Sequence, residues 1–482
     1  MVGGESDFRP RHGVLILSRA IFVGGTASNV GKSWMTTALC RLLHRRGVRV
    51  APFKAQNMSN NSYPCADSAG EIGRSQVTQA RACGLPPEPA MNPVLLKPCG
   101  ESRSQVIVNG KVWRTLDARE YYTHVPFLRQ QALHAYADLA RRFDVVVMEG
   151  AGSVAELNLA DRDFVNLSIA RAVGARALLV ADIERGGVFA SILGTLDLLT
   201  PEDRPLIRCF AVNRFRGDRS LFADGVQMLE QKSGIPCLGV FPFAEGIHMD
   251  AEDSLSEEEA PQALSNVAIL RFPRISNTTD FRLLTGAVWV DRPLDRQFDF
   301  VILPGTKSTV SDLAWLRATG LDHWIRAQHH GGAHTIGICG GYQMLGDFIS
   351  DPDGVDGAPG EHRGLGLVPA RTVMRATKTT VTRHARTPAG TVFEAYEIHM
   401  GTTTITQKLA PFAILEDGSH EGVRTGRLLG TYLHGALESR EVFREIFNVD
   451  PPAPASQEEA LDRMADWMET NSSPKHLSQL ID

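Results

Sequence analysis

The sequence predicts two α/β domains joined by an acidic linker, and three observations carry that prediction. Short apolar runs alternate with helical stretches along most of the 482 residues, which is the pattern of a parallel sheet covered by helices. Two of these runs lead into glycine-rich turns and then into helices, around Gly25 and around Gly340. An acidic stretch that contains Glu257, Glu258 and Glu259 interrupts the alternation between them.

The apolar runs give the strands of both predicted sheets. They lack polar alternation, which suits strands that are buried on both faces. In the first half the predicted strands are Ala20–Val23, Val48–Pro52, Val145–Met148, Ala177–Ala181 and Cys209–Val212. In the second half they are Val267–Leu270, Phe300–Leu303, Thr335–Ile338 and Leu429–Leu433. The predicted division is an extension at 1–18, a domain at 19–243, a linker at 244–266, a domain at 267–450, and a C-terminal helix and tail at 451–482.

Composition excludes several classes of protein. The formal net charge of -5 gives no general attraction to nucleic acid or to an anionic membrane surface. No apolar run approaches the roughly 18 residues that a membrane-spanning helix needs. The seven cysteines are odd in number and form no C-x-x-C pair, so we expect neither a disulfide framework nor a zinc ribbon. We therefore expect a cytoplasmic protein without a nucleic-acid or membrane partner, and the sequence specifies no oligomeric state.

The first glycine-rich turn predicts a nucleotide-binding phosphate loop. It runs from Gly24 to Ser33 between a strand and an amphipathic helix, which is the context that a P-loop requires. Backbone N–H groups around Gly31 would cradle a polyphosphate, Lys32 would neutralise it, and the Ser33 hydroxyl would hold Mg²⁺. Five residues separate Gly25 from Gly31, which resembles the dethiobiotin-synthetase branch of P-loop proteins. The expected cofactors are ATP and Mg²⁺.

Acidic residues elsewhere in the first domain are candidates to complete the metal site. Glu149 follows the predicted strand Val145–Met148, and the carboxyl end of a parallel strand faces the ligand crevice. Glu149 is therefore the first candidate ligand for Mg²⁺. Glu71 is a second candidate ligand, and Asp67 in the same segment is a candidate residue of the reaction site.

Polar residues also follow the next two predicted strands. Asp182 and Arg185 come directly after Ala177–Ala181, so we expect both to face the same crevice. Asn213 comes directly after Cys209–Val212. Many P-loop proteins read the adenine base with an amide at this place, and we expect Asn213 to do so.

The second glycine-rich turn predicts a nucleophilic cysteine. Gly337-Ile338-Cys339-Gly340-Gly341 lies between a strand and a helix and follows the logic of the G-x-S-x-G elbow, with sulfur in place of oxygen. Small neighbours permit the strained turn, and the helix N-terminus behind Cys339 favours its reactive thiolate form. His434 follows the last predicted strand and is the best candidate base.

This pair of residues resembles the centre of class I glutamine amidotransferases, in which a cysteine attacks the glutamine amide and a histidine relays the proton. By that resemblance, Gly305 lies in the oxyanion-hole loop and the backbone N–H of Gly340 is its partner. The second domain is thus expected to be a class I glutaminase α/β domain. The usual His-Pro-Glu is replaced here by His434-Gly435-Ala436, and the next acid is Glu438. Which group orients His434 is therefore left open.

Longer segments resemble the cobyric acid synthase family. The resemblance runs from about Ile21 to Glu438, and Lys54 lies in the first of its segments. These segments are Val50–Ser62, Gly70–Gln76, Asn92–Pro98, Asp182–Ala190, Arg274–Phe281 and Tyr396–Gly401. The resemblance implies that a P-loop amidoligase domain is fused to the glutaminase. It also implies a corrinoid substrate, adenosylcobyrinic acid a,c-diamide, of which four carboxylates become amides through acyl phosphates. Glutamine would supply the ammonia, and Lys54 would belong to the ligase site.

Two alternatives stay open at this stage. Cobyrinic acid a,c-diamide synthases have the same two-domain plan, although the Pro52–Ser62 and Asn92–Pro98 segments argue against them. A regulatory P-loop ATPase with an inactive glutaminase domain is the second alternative. Those ATPases usually carry an extra lysine at the start of the loop, which Val23–Thr26 lacks, and the Cys339 elbow is intact.

Overall fold

Two central sheets organise the chain in the computed structural model, which describes residues 18–66, 70–99, 102–244, 247, 264–451 and 457–482. Each sheet has six strands and lies within an α/β unit, as predicted. The proposed extension at 1–18 and linker at 244–266 fall almost entirely outside the described residues. The domain boundaries therefore stay a proposal.

The first unit begins with a strand, a loop and a helix, and its central sheet is wholly parallel. The strand order is β12-β11-β10-β1-β9-β2, so the carboxyl ends of β1, β9 and β10 lie at one edge. A smaller sheet of order β3-β6-β7-β8 and the pair β4-β5 lie beside it. The elements are β1 (Arg19–Gly25), α1 (Lys32–Arg45), β2 (Val50–Phe53), β3 (Gln56–Met58), β4 (Ser62–Pro64), β5 (Glu71–Gly73), α2 (Arg74–Ala82), β6 (Val94–Cys99), β7 (Arg103–Val108), β8 (Lys111–Asp117), α3 (Ala118–Thr123), α4 (Val125–Arg142), β9 (Val145–Glu149), α5 (Leu167–Ala172), β10 (Arg176–Asp182), α6 (Val188–Leu198), β11 (Ile207–Phe215), α7 (Ala223–Ser233) and β12 (Cys237–Pro242).

The second unit has a sheet of order β14-β13-β15-β16-β24-β23, in which only the β23–β24 pair is antiparallel. Neighbouring strands β15, β16 and β24 therefore end at one edge. A second sheet contains two long antiparallel arms, β19 and β20. The elements are β13 (Val267–Leu270), β14 (Val288–Val290), β15 (Phe300–Leu303), α8 (Thr309–Ala318), α9 (Leu321–His330), β16 (His334–Ile338), α10 (Gly340–Leu345), β17 (Phe348–Asp351), β18 (Gly360–Arg363), β19 (Ala370–Arg386), β20 (Val392–Ile405), β21 (Ala413–Leu415), β22 (His420–Glu421), β23 (Val423–Thr425), β24 (Leu428–Thr431) and α11 (Arg440–Phe447).

The chain returns to the first unit at its C-terminus. Helix α12 (Gln457–Asn471) packs along α1 through ion pairs on its rim, and α13 (Pro474–Ile481) follows it. The last residues of the chain thus form a helix, and its Leu477, Leu480 and Ile481 are buried in the same apolar cluster as β1. Trp467 of α12 contacts Trp34 with ring centroids 6.0 Å apart.

The two units meet along β4, β5 and α2 of the first and β19 and β20 of the second. The backbone N–H of Ser62 donates to Asn277 Oδ1 at 3.2 Å, and the ring centroids of Tyr63 and Tyr396 lie 4.8 Å apart. Glu71 pairs with Lys378 across this boundary. These contacts bring the two candidate sites to one interface.

Two further observations concern sequence-based expectations. All seven cysteines are free thiols, and the cytoplasmic location stays a prediction. Within the described ranges, no helix is both long enough and apolar enough to cross a membrane.

Met468→Ala tests the packing of α12. Met468 is completely buried against the α1 side of the first unit, so its truncation leaves a cavity and should lower the free energy of unfolding by about 2–5 kcal/mol. Urea unfolding followed by tryptophan fluorescence measures this loss. Met228→Ala on α7 is the matched control, since Met228 is 51% exposed and should change the free energy by less than about 0.5 kcal/mol. Equal stability of the two variants would contradict the docking of α12.

Candidate active sites

The phosphate loop joins β1 to α1 at the carboxyl edge of the first sheet. Gly31 precedes α1 with φ of 98°, and a Cβ there would lie 2.2 Å from Asn213 Nδ2, so only glycine fits. Lys32 Nζ donates to the backbone oxygens of Ala27 and Gly152, both at 2.9 Å. The ammonium group therefore lies inside the loop, where a polyphosphate would be held.

Glu149 ends β9 beside this loop, as predicted, and is buried. Its Oε1 accepts from Ser33 Oγ at 2.9 Å and pairs with Lys54 Nζ at 2.9 Å. Its Oε2 accepts from Gln79 of α2. The structure thus brings Ser33, Glu149 and Lys54 together, while sequence reasoning missed Gln79.

Glu71 does not join this cluster, and its role as a metal ligand stays a prediction. Both of its oxygens are engaged at the interface, Oε2 by Lys97 at 2.8 Å and by Ser62 Oγ at 2.7 Å, and Oε1 by Lys378. Two buried cations therefore compensate the charge of Glu71. Asp67, predicted in the same segment, lies outside the described residues.

The three polar residues predicted to follow β10 and β11 differ in their positions and contacts: Asp182 ends β10, Arg185 follows it, and Asn213 lies within β11. Asp182 makes local contacts: it pairs with Arg214 at 3.1 Å and accepts a hydrogen bond from the Glu184 N–H at 2.7 Å. Arg185 is exposed, and the structure brings neither Asp182 nor Arg185 into the Glu149 cluster. Asn213 Nδ2 donates to the Val30 oxygen at 2.9 Å. It therefore supports the phosphate loop, and its role in reading adenine stays a prediction.

Cys339 lies in a strained turn between β16 and α10, as the elbow pattern predicts. Its φ of 52° and ψ of -109° are unfavourable for a residue with a side chain, at a cost of about 1–3 kcal/mol. Gly341 permits the turn, because a Cβ there would lie 2.0 Å from the Leu303 oxygen. Strain held at one residue by tight packing is typical of a catalytic nucleophile.

His434 follows β24 and is completely buried next to Cys339. The group that orients it is Asp280, whose Oδ2 lies 2.7 Å from His434 Nδ1 and whose Oδ1 accepts from the Gly435 N–H at 2.7 Å. Burial lowers the pKa of the imidazole, but the charge and hydrogen bond of Asp280, together with Cys339, raise the pKa of His434 to about 10. The structure thus brings Cys339, His434 and Asp280 together, which are the residue types that a nucleophile, a base and an orienting acid require.

Sequence reasoning missed Asp280, although the residue lies in a segment that carries the family resemblance. Asn277, with φ of 55°, starts the short turn that presents Asp280. The nearest acid in the sequence, Glu438, pairs instead with Arg282 at 3.0 Å and with Arg74 at 3.5 Å. It therefore takes part in the interface.

The loop after β15 packs against both catalytic side chains. A Cβ on Gly305 would lie 2.8 Å from His434 Cε1, and a Cβ on Gly340 would lie 2.6 Å from Thr306 Cγ2. The two glycines thus permit a close approach of the loop to the elbow. Their backbone N–H groups remain the predicted oxyanion donors.

Asp280→Asn tests the orienting acid. Asparagine keeps an acceptor for Gly435 N–H but removes the charge that raises the pKa of His434. Because the pKa of His434 is raised, its imidazole stays protonated up to about pH 10. In the variant the imidazole should therefore lose its proton at a lower pH. We expect the alkaline limb of glutamine hydrolysis to move to lower pH and kcat/KM to fall by at least about 10². Asp322→Asn, at an Asp–His contact on α9, is the control, and an unchanged alkaline limb in Asp280→Asn would contradict the assignment.

Comparisons with known proteins agree with this arrangement. Residues 21–256 match the family described as the CobQ/CobB/MinD/ParA nucleotide binding domain, and residues 266–442 match the CobB/CobQ-like glutamine amidotransferase domain. A cobyric acid synthase from Roseiflexus castenholzii is 46% identical over 447 residues, covering 88% of this chain and 90% of that protein. One from Jannaschia sp. is 46% identical, covering 89% and 91%, and one from Sorangium cellulosum is 42% identical, covering 96% and 98%. With a nucleotide-binding domain followed by a glutamine amidotransferase domain, the chain belongs to the cobyric acid synthase family.

Proposed function

We propose that this chain uses ATP and glutamine to amidate the b, d, e and g carboxylates of adenosylcobyrinic acid a,c-diamide, giving adenosylcobyric acid in cobalamin biosynthesis. The observation that carries the proposal is the presence of two complete centres in one chain. The first is the chain Cys339–His434–Asp280, and the second is the phosphate loop with Glu149 and Lys54. Membership of the family supports the identity of the corrinoid.

In the glutaminase half, the Cys339 thiolate attacks the side-chain carbonyl of glutamine. His434, held by Asp280, donates a proton to the departing ammonia and then takes one from the water that hydrolyses the thioester. The N–H groups of Gly305 and Gly340 stabilise the oxyanion of the tetrahedral intermediate. The products are glutamate and ammonia.

In the ligase half, the substrate carboxylate attacks the γ-phosphorus of ATP, and ADP leaves. Lys32 and the N–H groups of the loop hold the phosphates in line and offset their charge. Ammonia then attacks the carbonyl carbon of the acyl phosphate and displaces phosphate, which leaves an amide. Lys54, which reaches Glu149 from the end of β2, is the proposed cation nearest the transferring group.

The residues present fit a magnesium ion that binds together with the nucleotide. The described residues contain no group of three or more His, Cys, Asp or Glu side chains able to hold a metal by themselves. Magnesium commonly takes only one or two protein ligands and completes its shell with phosphates and water. Ser33 Oγ and Glu149 would be those ligands, and the ion would offset charge on the phosphates.

Neither alternative has a specific observation in its favour. The relatives described above carry the name cobyric acid synthase, and none of them is called a diamide synthase. A regulatory ATPase with an inactive glutaminase would not need the strained Cys339 elbow or the buried pair His434–Asp280.

Cys339→Ala should abolish amidation driven by glutamine and spare amidation driven by added ammonium. The reason is that the thiol serves only the release of ammonia. Chromatography of the corrinoid product, with each nitrogen source in turn, measures both activities. Cys237→Ala, a buried thiol on β12, is the control. Loss of both activities in a folded Cys339→Ala protein would contradict this division of labour.

Lys32→Ala should abolish amidation with either nitrogen source, because both depend on the acyl phosphate. Hydrolysis of glutamine by Cys339 should persist and shows that the variant is folded. Lys232→Ala on α7, an exposed position, is the control. Normal turnover of Lys32→Ala with ammonium would refute the role of the phosphate loop.

A further inference from the structure

The cavity at Cys339 is shared between the two units. Thr306, Gln343 and His399 of the second unit line it, but so does Lys97, which belongs to β6 of the first. Three lysines line this one space, Lys97, Lys307 and Lys378. Such a concentration of cations next to a nucleophile is not needed for the chemistry of the Cys339–His434 pair itself.

Glu71 fixes the positions of two of these cations. Lys97 Nζ donates to Glu71 Oε2 at 2.8 Å and to Ser62 Oγ at 2.7 Å, which leaves one of its protons for another acceptor. Lys378 binds the other oxygen of Glu71. It lies at the irregular pairing of β19 with β20 between Met374 and Thr379, and such irregularities redirect side chains.

Lys307 differs from the other two lysines in its contacts. Its backbone N–H donates to the Arg274 oxygen at 2.9 Å, which fixes it in the same loop as Gly305. Its ammonium group makes no hydrogen bond or ion pair with any residue that the structure describes. Burial, together with the charge of Lys97, lowers the pKa of Lys307, so an anion in the cavity would stabilise its charged form.

The charges of the cavity fit an amino acid. Three lysines line the cavity, and both oxygens of Glu71, which compensates two of them, are already taken. Asp356 lines the same cavity and accepts from the Val310 N–H at 2.7 Å through Oδ2. A cation without a side-chain partner and a carboxylate in one cavity are what a zwitterionic α-amino acid requires.

We propose that Lys307 and Lys97 bind the α-carboxylate of glutamine and that Asp356 receives its α-ammonium group, so that the ligase unit completes the glutamine site. The inference rests on the proposed function, because it assumes that Cys339 attacks the glutamine amide. With the amide at Cys339, the short aliphatic chain of glutamine directs its charged end along the same cavity. Lys97 thereby makes glutamine binding depend on the contact between the two units.

The test compares two reagents that alkylate Cys339. Diazo-oxo-norleucine carries the α-carboxylate and α-ammonium of glutamine, whereas iodoacetamide carries neither. Lys307→Met and Lys97→Met should each slow inactivation by the first reagent about tenfold or more and leave inactivation by the second unchanged. Each should also raise KM for glutamine about tenfold with little change in kcat. Lys97→Arg should restore binding, and Lys111→Met on the exposed edge of β8 is the control.

Each outcome has a distinct meaning. Unchanged inactivation of Lys307→Met and Lys97→Met by diazo-oxo-norleucine would overturn the proposal. An equal loss with both reagents would also overturn it, since the lysines would then act on Cys339 or on the fold. If Lys97→Met does not fold, Lys307→Met decides, because its side chain supports no other residue. Failure of diazo-oxo-norleucine to label the unmodified protein at Cys339 would instead contradict the proposed function.

Discussion

The first unit depends on the burial of one charge, the Glu149 carboxylate. An ion removed from water is tolerated only when cations and hydrogen-bond donors surround it. Glu149 has Lys54, Ser33 and Gln79 for this purpose, and each comes from a different element: the end of β2, the start of α1 and the middle of α2. One carboxylate therefore holds the phosphate loop, the central sheet and the interface helix in register.

Helix α2 connects this centre to the other one. Gln79 in its second half reaches Glu149, and Arg74 at its start pairs with Glu438 of the second unit at 3.5 Å. Arg74 also lies over the ring of Tyr63, which contacts Tyr396. Tyr396 in turn stacks on His434 with ring centroids 5.3 Å apart. A continuous set of packed side chains thus joins the nucleotide site to the glutaminase centre.

Local patterns predicted the parts of both sites that depend on neighbours in the chain. Five predicted residues lie at or after the ends of strands, and within each sheet parallel strands bring such positions to one edge whatever the sequence between them. They are Lys32, Ser33, Glu149, Cys339 and His434. Asp280 could not be found in this way, because it lies 154 residues from His434 and only the fold brings the two together. The contacts of Glu71 could not be found in this way either, since one of its partners, Lys378, is 307 residues away in the other unit.

The central claim is that one chain moves nitrogen from glutamine to four carboxylates of a corrinoid. Mass spectrometry of the corrinoid after incubation with ATP, glutamine labelled with heavy nitrogen in its amide, and unlabelled ammonium tests it most directly. The account predicts a product with four new amides that carry the label, because ammonia released at Cys339 is used within the same protein. A product with only two new amides or none, or a product whose new amides carry no label, would contradict it.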